Sequence, residues 1–216
     1  MFISKERAVV VPQSEHQRLA GVLAFHWGND DFSLPDINIE AFKRGVATHD
    51  QAFGLMDTKA LGAITEAERA IQVDEWLNVD YEDPETALVV LLHVRRLMNT
   101  PERRALYAKL DQRISEIVQE QGLDLSEYEA ADTITDFCDL IAFDFSFESP
   151  IERTLNVYKS KNGNANITYK LSAGEILLSD WPFKIDSITG NITGYEQEGY
   201  PNEPVPVELE FIIKKA

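Results

Sequence analysis

Up to about Glu148 the apolar residues of this chain recur three and four apart behind helix caps; from Arg153 they alternate between turn residues. The two patterns cannot exchange roles, because side chains return to one face about every 3.6 residues in a helix and every ~2 in a strand. The sequence therefore predicts a helical region over residues 1–150 and a strand-forming one over 151–216.

Six helices are predicted. Ser14-Glu-His-Gln17 reads as a capping box opening a helix with the stripe Leu19, Ala20, Leu23 and Trp27, closed by Gly28. A second runs from about Asn38 to Gly54, with Phe42, Val46 and Phe53 on one face. Thr65-Glu-Ala-Glu68 caps a third. Asp83-Pro84 and Thr100-Pro101 open a fourth and a fifth with proline where no N–H is needed, and Gly122 closes the fifth. Ser126-Glu-Tyr-Glu129 caps a sixth, reaching about Phe147. Beyond Arg153, Thr154–Lys159, Ile167–Leu171, Glu175–Leu178 and Val205–Ile213 read as strands. Turns are expected at Asn162-Gly163, Ala173-Gly174, Gly190-Asn191 and Gly199-Tyr-Pro201. The expected fold class is mainly α: a helical bundle with a C-terminal antiparallel β-meander packed on it, and Ala8–Val11 as a candidate edge strand.

Composition narrows the function. A net charge of −17 repels phosphate backbones and anionic lipid, so no nucleic-acid or membrane partner is expected, whereas a multivalent cation suits such a field. The longest apolar run, Thr86–Val94, is far short of the roughly 20 residues that span a bilayer. The opening Met1-Phe-Ile-Ser-Lys-Glu-Arg7 lacks the apolar core of an export signal, so a cytoplasmic location is expected and Asn166 and Asn191 are chance glycosylation matches. A single cysteine, Cys138, removes internal disulfides and Cys-rich zinc sites; on a helix face with Ile134, Phe137, Ile141 and Phe145 it reads as an inert core residue. Nucleophile-elbow, Walker and dinucleotide-loop patterns are absent.

The four histidines carry the chemistry. His16 falls within the apolar stripe of the first helix and His26 at its edge; His49 sits among Phe42, Val46 and Phe53; His93 follows Val89-Val-Leu-Leu92 on the most apolar helix. A lone inward histidine is more often a satisfied core residue than a ligand. Several converging must each satisfy two ring nitrogens. Asp50, directly after His49, projects about 100° from it, so imidazole and carboxylate reach one ion from adjacent positions. An inward His, a His-Asp pair and a late Asp make the layout of a mixed N/O metal site. For the late member, Asp132, Asp136 and Asp139 share one side of the sixth helix, which on periodicity alone reads as a solvated acidic face.

At these residues the sequence resembles the bacterial and archaeal proteins grouped as domain of unknown function 3891. Five segments carry the resemblance: Gln13–Gly21 ending in His26-Trp27-Gly28; Ala47-Thr-His49-Asp50, followed by Ala52-Phe53 where the family has Gly-Trp; Val89–His93; Asp139-Leu-Ile-Ala-Phe143, with Ala142 for a serine; and Asp180-Trp-Pro-Phe183. The order His, His-Asp, Asp is distantly similar to the HD superfamily of metal-dependent phosphohydrolases, which implies an HD-like helical fold. That resemblance implies His16, His49, Asp50 and Asp139 as metal ligands, and His93 as a phosphate contact, a second-metal ligand or a support behind the ligands. The expected protein is a metal-dependent phosphohydrolase acting on a small phosphorylated compound, using Mn, Mg, Fe or Zn. Asp50 and His93 are its candidate catalytic groups, and Arg44, Lys59, Arg95 or Arg96 its local cation. Two alternatives stay open: a di-iron oxygenase with His26 and His93 as extra ligands, and a non-catalytic binding protein with buried structural histidines. Oligomeric state is left open.

Overall fold

The computed structural model describes residues 1–52, 57–79, 81 and 83–216. About 47% of the chain is helix and 24% strand, and the strands form one seven-stranded mixed sheet curled into a half-barrel. The strands are β1 (Phe2–Ile3), β2 (Val9–Val11), β3 (Ile151–Ser160), β4 (Gly163–Ser172), β5 (Glu175–Leu178), β6 (Ser187–Glu196) and β7 (Pro206–Lys215). Their order across the sheet is β1-β2-β6-β7-β5-β4-β3. All neighbours are antiparallel except β5 and β7, which run parallel from Glu175 opposite Ile212 to Leu178 opposite Lys215.

This corrects the expected fold class. The molecule is not a mainly-α helical bundle of the HD type, and its strands do not form an antiparallel meander. The physical reason lies in β6, a ten-residue strand that the sequence reading broke at Gly190-Asn191. Gly190 is no turn. It sits mid-strand opposite Phe211, and a Cβ there would stand 2.9 Å from the Phe211 ring, so glycine makes room for the aromatic. With β6 present, β2 pairs with it through Val9 and Val10, and the sheet joins both ends of the chain.

The helices are α1 (Gln13–His26), α2 (Ile39–Ala47), α3 (Glu66–Asn78), α4 (Pro84–Leu97), α5 (Arg104–Gln121) and α6 (Leu125–Ser146). Local chemistry explains most of their ends. Asn38 caps α2, Thr65 and Glu68 close a capping box on α3, Asp83 with Pro84 opens α4, and left-handed Gly122 ends α5 behind a short 3-10 turn at Pro101–Arg103. Two caps differ from expectation. Pro12, not Ser14, precedes α1, and the Gln13 N–H is held by both Asp57 carboxylate oxygens at 2.9 Å. Asp124 rather than Ser126 caps α6. Helix α2 stops at Ala47; Phe53 and Gly54 lie outside the described residues.

Helix α6 runs between the other helices and the sheet. Phe145 meets Phe211 with ring centroids 5.7 Å apart, and the Tyr169 hydroxyl donates to the Leu140 carbonyl at 3.2 Å. The opposite side of α6 faces α1 and α4, so Asp139 is only 6% exposed. Asp139 and Thr135 on the expected solvated acidic face are buried, while Asp132 and Asp136 at its edge are partly exposed. Each large apolar side chain buried here contributes about 1.5–3 kcal/mol, which holds α6 in place against the cost of burying its carboxylates. Among the described residues no helix is long and apolar enough to cross a membrane.

Candidate metal centre

Three helices and one turn deliver the chemistry. His16 lies in the first turn of α1, on the face of Leu19, Ala20 and Leu23. His49 and Asp50 stand not on α2 but in the turn just after it, where the Gln51 N–H bonds the Thr48 carbonyl at 3.0 Å. Helix α2 presses against α4 because Gly45 has no side chain: a Cβ would meet Val89 at 2.6 Å. That approach brings the His49 and His93 rings to a centroid distance of 4.5 Å. Asp139 enters from α6.

The five side chains meet, and none is more than 6% exposed. His16 Nε2 is 3.2 Å from His49 Nε2, 3.1 Å from Asp139 Oδ1 and 3.4 Å from Asp50 Oδ2. His49 Nε2 is 3.5 Å from Asp139 Oδ1 and 3.7 Å from Asp50 Oδ2. Donors arranged tetrahedrally at roughly 2.1 Å from a cation are ~3.4 Å from one another. Each imidazole Nε2 therefore stands at ligand spacing from the other and from one oxygen of each carboxylate. The triads His16–His49–Asp139 and His49–Asp50–His93 each offer atoms within 4.8 Å of one another, so these buried groups can hold a metal.

The ring nitrogens are sorted by what lies behind them. His49 Nδ1 donates to the Val46 carbonyl at 2.6 Å, leaving the Nε2 lone pair toward the cluster, as ligating histidines are usually arranged. His93 is the reverse. Arg96 Nη2 donates to its Nδ1 at 3.0 Å, so the ring proton sits on Nε2, 3.4 Å from Asp50 Oδ1. That contact is long; Asp50 Oδ1, His93 Nε2 and His16 Nδ1 all remain buried without a hydrogen-bond partner. Such orphans are uncommon in folded proteins, and two of them, Asp50 Oδ1 and His93 Nε2, face each other.

Charge explains the protonation. Taking two carboxylates out of water costs several kcal/mol each unless a cation pairs them. Burial would lower the His16 pKa, but hydrogen bonds to Asp139 and Asp50 and their charges overcome it and raise the imidazole to about 9. Burial would raise Asp50 and Asp139, yet the surrounding imidazoles hold both well below the usual carboxylate range. Burial lowers the His93 pKa. The protonated His16 is thus the cation between the carboxylates, in the place where an ion fits.

A cavity of about 160 Å³ opens onto the Asp50, His93 and Asp139 side of the cluster. Phe2 and Phe143 give it apolar walls; Gln13, Arg69 and Arg103 supply its other polar groups. The Phe2 ring also packs 4.8 Å from His16. A larger cavity of about 400 Å³, at Arg7, Glu148 and Glu210, holds none of the predicted site residues.

The model of the family described as protein of unknown function DUF3891 matches residues 2–196. The chain belongs to the DUF3891 family. No curated protein matches it, and no solved structure does. The DUF3891 match spans the whole histidine–aspartate cluster and the cavity beside it, but the similarity to the HD superfamily gains no support from it.

Within this DUF3891 protein several expected candidates stand elsewhere. His26 is partly buried at the end of α1, with its ring 5.1 Å from Phe25 and its pKa lowered by burial and Lys184. Asp136 bonds Arg96 rather than a histidine, and Asp132 accepts from Arg96 Nε at 3.0 Å. Of the four basic candidates only Arg96 touches the cluster. Arg95 pairs with Asp111 and Glu129, Arg44 with Asp83 and Lys59 with Glu68. Phe183 packs on Trp27, and among the described residues the cavity beside the cluster has no wall from beyond Phe143. Cys138 is fully buried, and burial pushes its thiol pKa up. The sequence reading missed Phe2, Gln13, Arg69 and Arg103; none carries a local pattern that marks a cavity wall.

Proposed function

We propose that this chain is a metal-dependent hydrolase acting on a small phosphorylated compound, with His16, His49, Asp50 and Asp139 as the ligands of one divalent ion. The observation that supports this reading is the spacing of the His16 and His49 Nε2 atoms, 3.2 Å from each other and 3.1–3.7 Å from one oxygen each of Asp50 and Asp139, beside a cavity. Two imidazoles and two carboxylates favour Zn²⁺, Fe²⁺ or Mn²⁺ over Mg²⁺, which prefers all-oxygen surroundings. Bound there, the ion supplies Lewis acidity and a nucleophilic water near neutral pH.

The chain's own residues do the rest. Asp50 turns one oxygen to the cluster and keeps Oδ1 free to accept a proton from a water and orient it. His93, its Nδ1 occupied by Arg96, presents Nε2–H as a donor to developing negative charge or to a leaving oxygen. Phe2 and Phe143 limit water at the reacting atoms. The oxygenase alternative needs additional histidine ligands; His26 stands apart at the end of α1, which leaves His93 Nε2 as the further imidazole beside Asp50.

The test is the metal content of protein purified without a His-tag, followed by phosphatase and phosphodiesterase assays across metals. A stoichiometric ion that disappears in His49→Ala, with metal-dependent phosphate release, is the expected result. No metal under any supplementation, and unchanged stability in His49→Ala, favours the non-catalytic binding protein instead.

A further inference from the structure

Two arginines in the cavity share one acid. Arg103 takes both oxygens of Glu66, with Nε at 2.9 Å and Nη2 at 2.7 Å, and its Nη1 also reaches the Leu97 carbonyl at 3.3 Å. Arg69 is left with a stretched contact to the same carboxylate, 3.6 Å from Nε. Its side chain is 14% exposed, yet Nε is buried with no hydrogen-bond partner. A guanidinium carries five donors, and leaving one desolvated and unpaired costs more than for a neutral group. Burial, together with the Arg103 charge, lowers the Arg69 pKa, while Glu66 raises that of Arg103, so Arg69 is the member of the pair short of negative charge. Gln13, 1% exposed, lines the same cavity with Oε1 unpartnered.

We infer that Arg69, supported by Arg103, is the oxyanion-recognising residue of this cavity, and that the group it holds is the terminal phosphoryl of a phosphomonoester. The inference rests on the metal-hydrolase reading, because it sets the phosphoryl group across the cavity from Asp50, His93 and Asp139. A planar guanidinium beside a second one matches the several oxygens of a dianionic phosphoryl group. Size separates monoester from diester. Cavities that enclose whole drug-sized ligands run about 300–1,000 Å³. At about 160 Å³ this one admits the phosphoryl head and leaves the rest of the compound outside. A diester, substituted on two oxygens, has to fit a second ester group into the same volume of about 160 Å³. The Gln13 Oε1 acceptor suits a nearby hydroxyl of the same substrate.

The test titrates inorganic phosphate, methyl phosphate and dimethyl phosphate into wild-type, Arg69→Ala and Arg69→Lys proteins by calorimetry, metal-supplemented and metal-free, with metal content and thermal melts read on the same samples. Phosphate and methyl phosphate bind wild type; Arg69→Ala weakens both by ~10- to 100-fold while keeping its metal and melting temperature, and Arg69→Lys recovers only part. Binding unchanged in Arg69→Ala, no binding to wild type in either condition, or dimethyl phosphate binding as tightly as methyl phosphate overturns the inference. Metal content separates the two ideas: a metal-loaded wild type with no Arg69-dependent binding sinks the inference alone. A protein that takes up no metal but binds phosphate through Arg69 sinks the hydrolase reading alone. If Arg69→Ala melts early, the Arg69→Lys comparison decides, since it retains the charge and loses the fork.

Discussion

The Nε2 atoms of His16 and His49 face each other at 3.2 Å, between the carboxylates of Asp50 and Asp139. Two imidazole nitrogens approach that closely only around a shared proton or a shared cation. The His16 imidazole, raised to about 9 by the two carboxylates, carries a positive charge between them when no ion is bound.

Removing either nitrogen removes a quarter of the donor set. His16→Ala and His49→Ala are each expected to weaken divalent-metal binding by at least ~100-fold, more than the ~10- to 100-fold typical of losing a residue behind a ligand. Chelator competition on tag-free protein measures this. His26→Ala is the control and leaves the affinity unchanged; equal losses in all three variants would show the metal to be adventitious.

The His16 shift sets a pH dependence. Its folded pKa is raised from 6.5 to about 9, so its stabilising charge is fully present below pH 6.5 and is lost as pH rises through about 9. Metal-free protein therefore loses stability between those limits. Metal-loaded protein does not, because the ion replaces the proton, and metal binding near pH 7 releases a proton. Asp50 and Asp139, held low, act at the other end: their contribution is present above their ordinary range and is lost on acidification. Denaturant melts at pH 6.5 and 9.5, with and without metal, check the His16 sign, and melts at about pH 3 check that of the carboxylates. A metal-free protein more stable at pH 9.5 contradicts the assignment.

Arg96 ties His93 to Asp132 and Asp136. Its side chain is 27% exposed, so Arg96→Gln is expected to cost about 1–3 kcal/mol rather than the full penalty of an uncompensated buried charge. The more specific effect is on the tautomer: with Nδ1 released, nitrogen NMR of His93 is expected to show its proton no longer confined to Nε2. An unchanged ring spectrum removes Arg96 from its positioning role.

Gly190 tests the sheet separately from the metal centre. Gly190→Val places atoms where the Phe211 ring lies and is expected to cost about 1–3 kcal/mol in overpacking. Metal stoichiometry is expected to stay as in wild type. Loss of metal together with stability shows that the sheet and the His–Asp cluster do not vary independently.

Features governed by a few neighbouring residues were readable along the chain. Thr65 and Glu68, Asp83 and Pro84, Asn38 and Gly122 place helix ends because a cap satisfies N–H or carbonyl groups within one turn. The inward direction of His16 and His93 follows from helical spacing in the same local way. Contacts between distant segments decided the remainder. Gly190 and Asn191 resemble a turn until Phe211 packs across them, and that one strand changes a presumed meander into a mixed sheet joined to β2. The side of α6 bearing Asp139 is acidic by composition, and only its enclosure by α1 and α4 turns it from a wet surface into a ligand position. Arg69 and Arg103 join the cavity from two separate segments. Periodicity reports which residues share a face; what covers that face is fixed by packing between elements far apart in the chain.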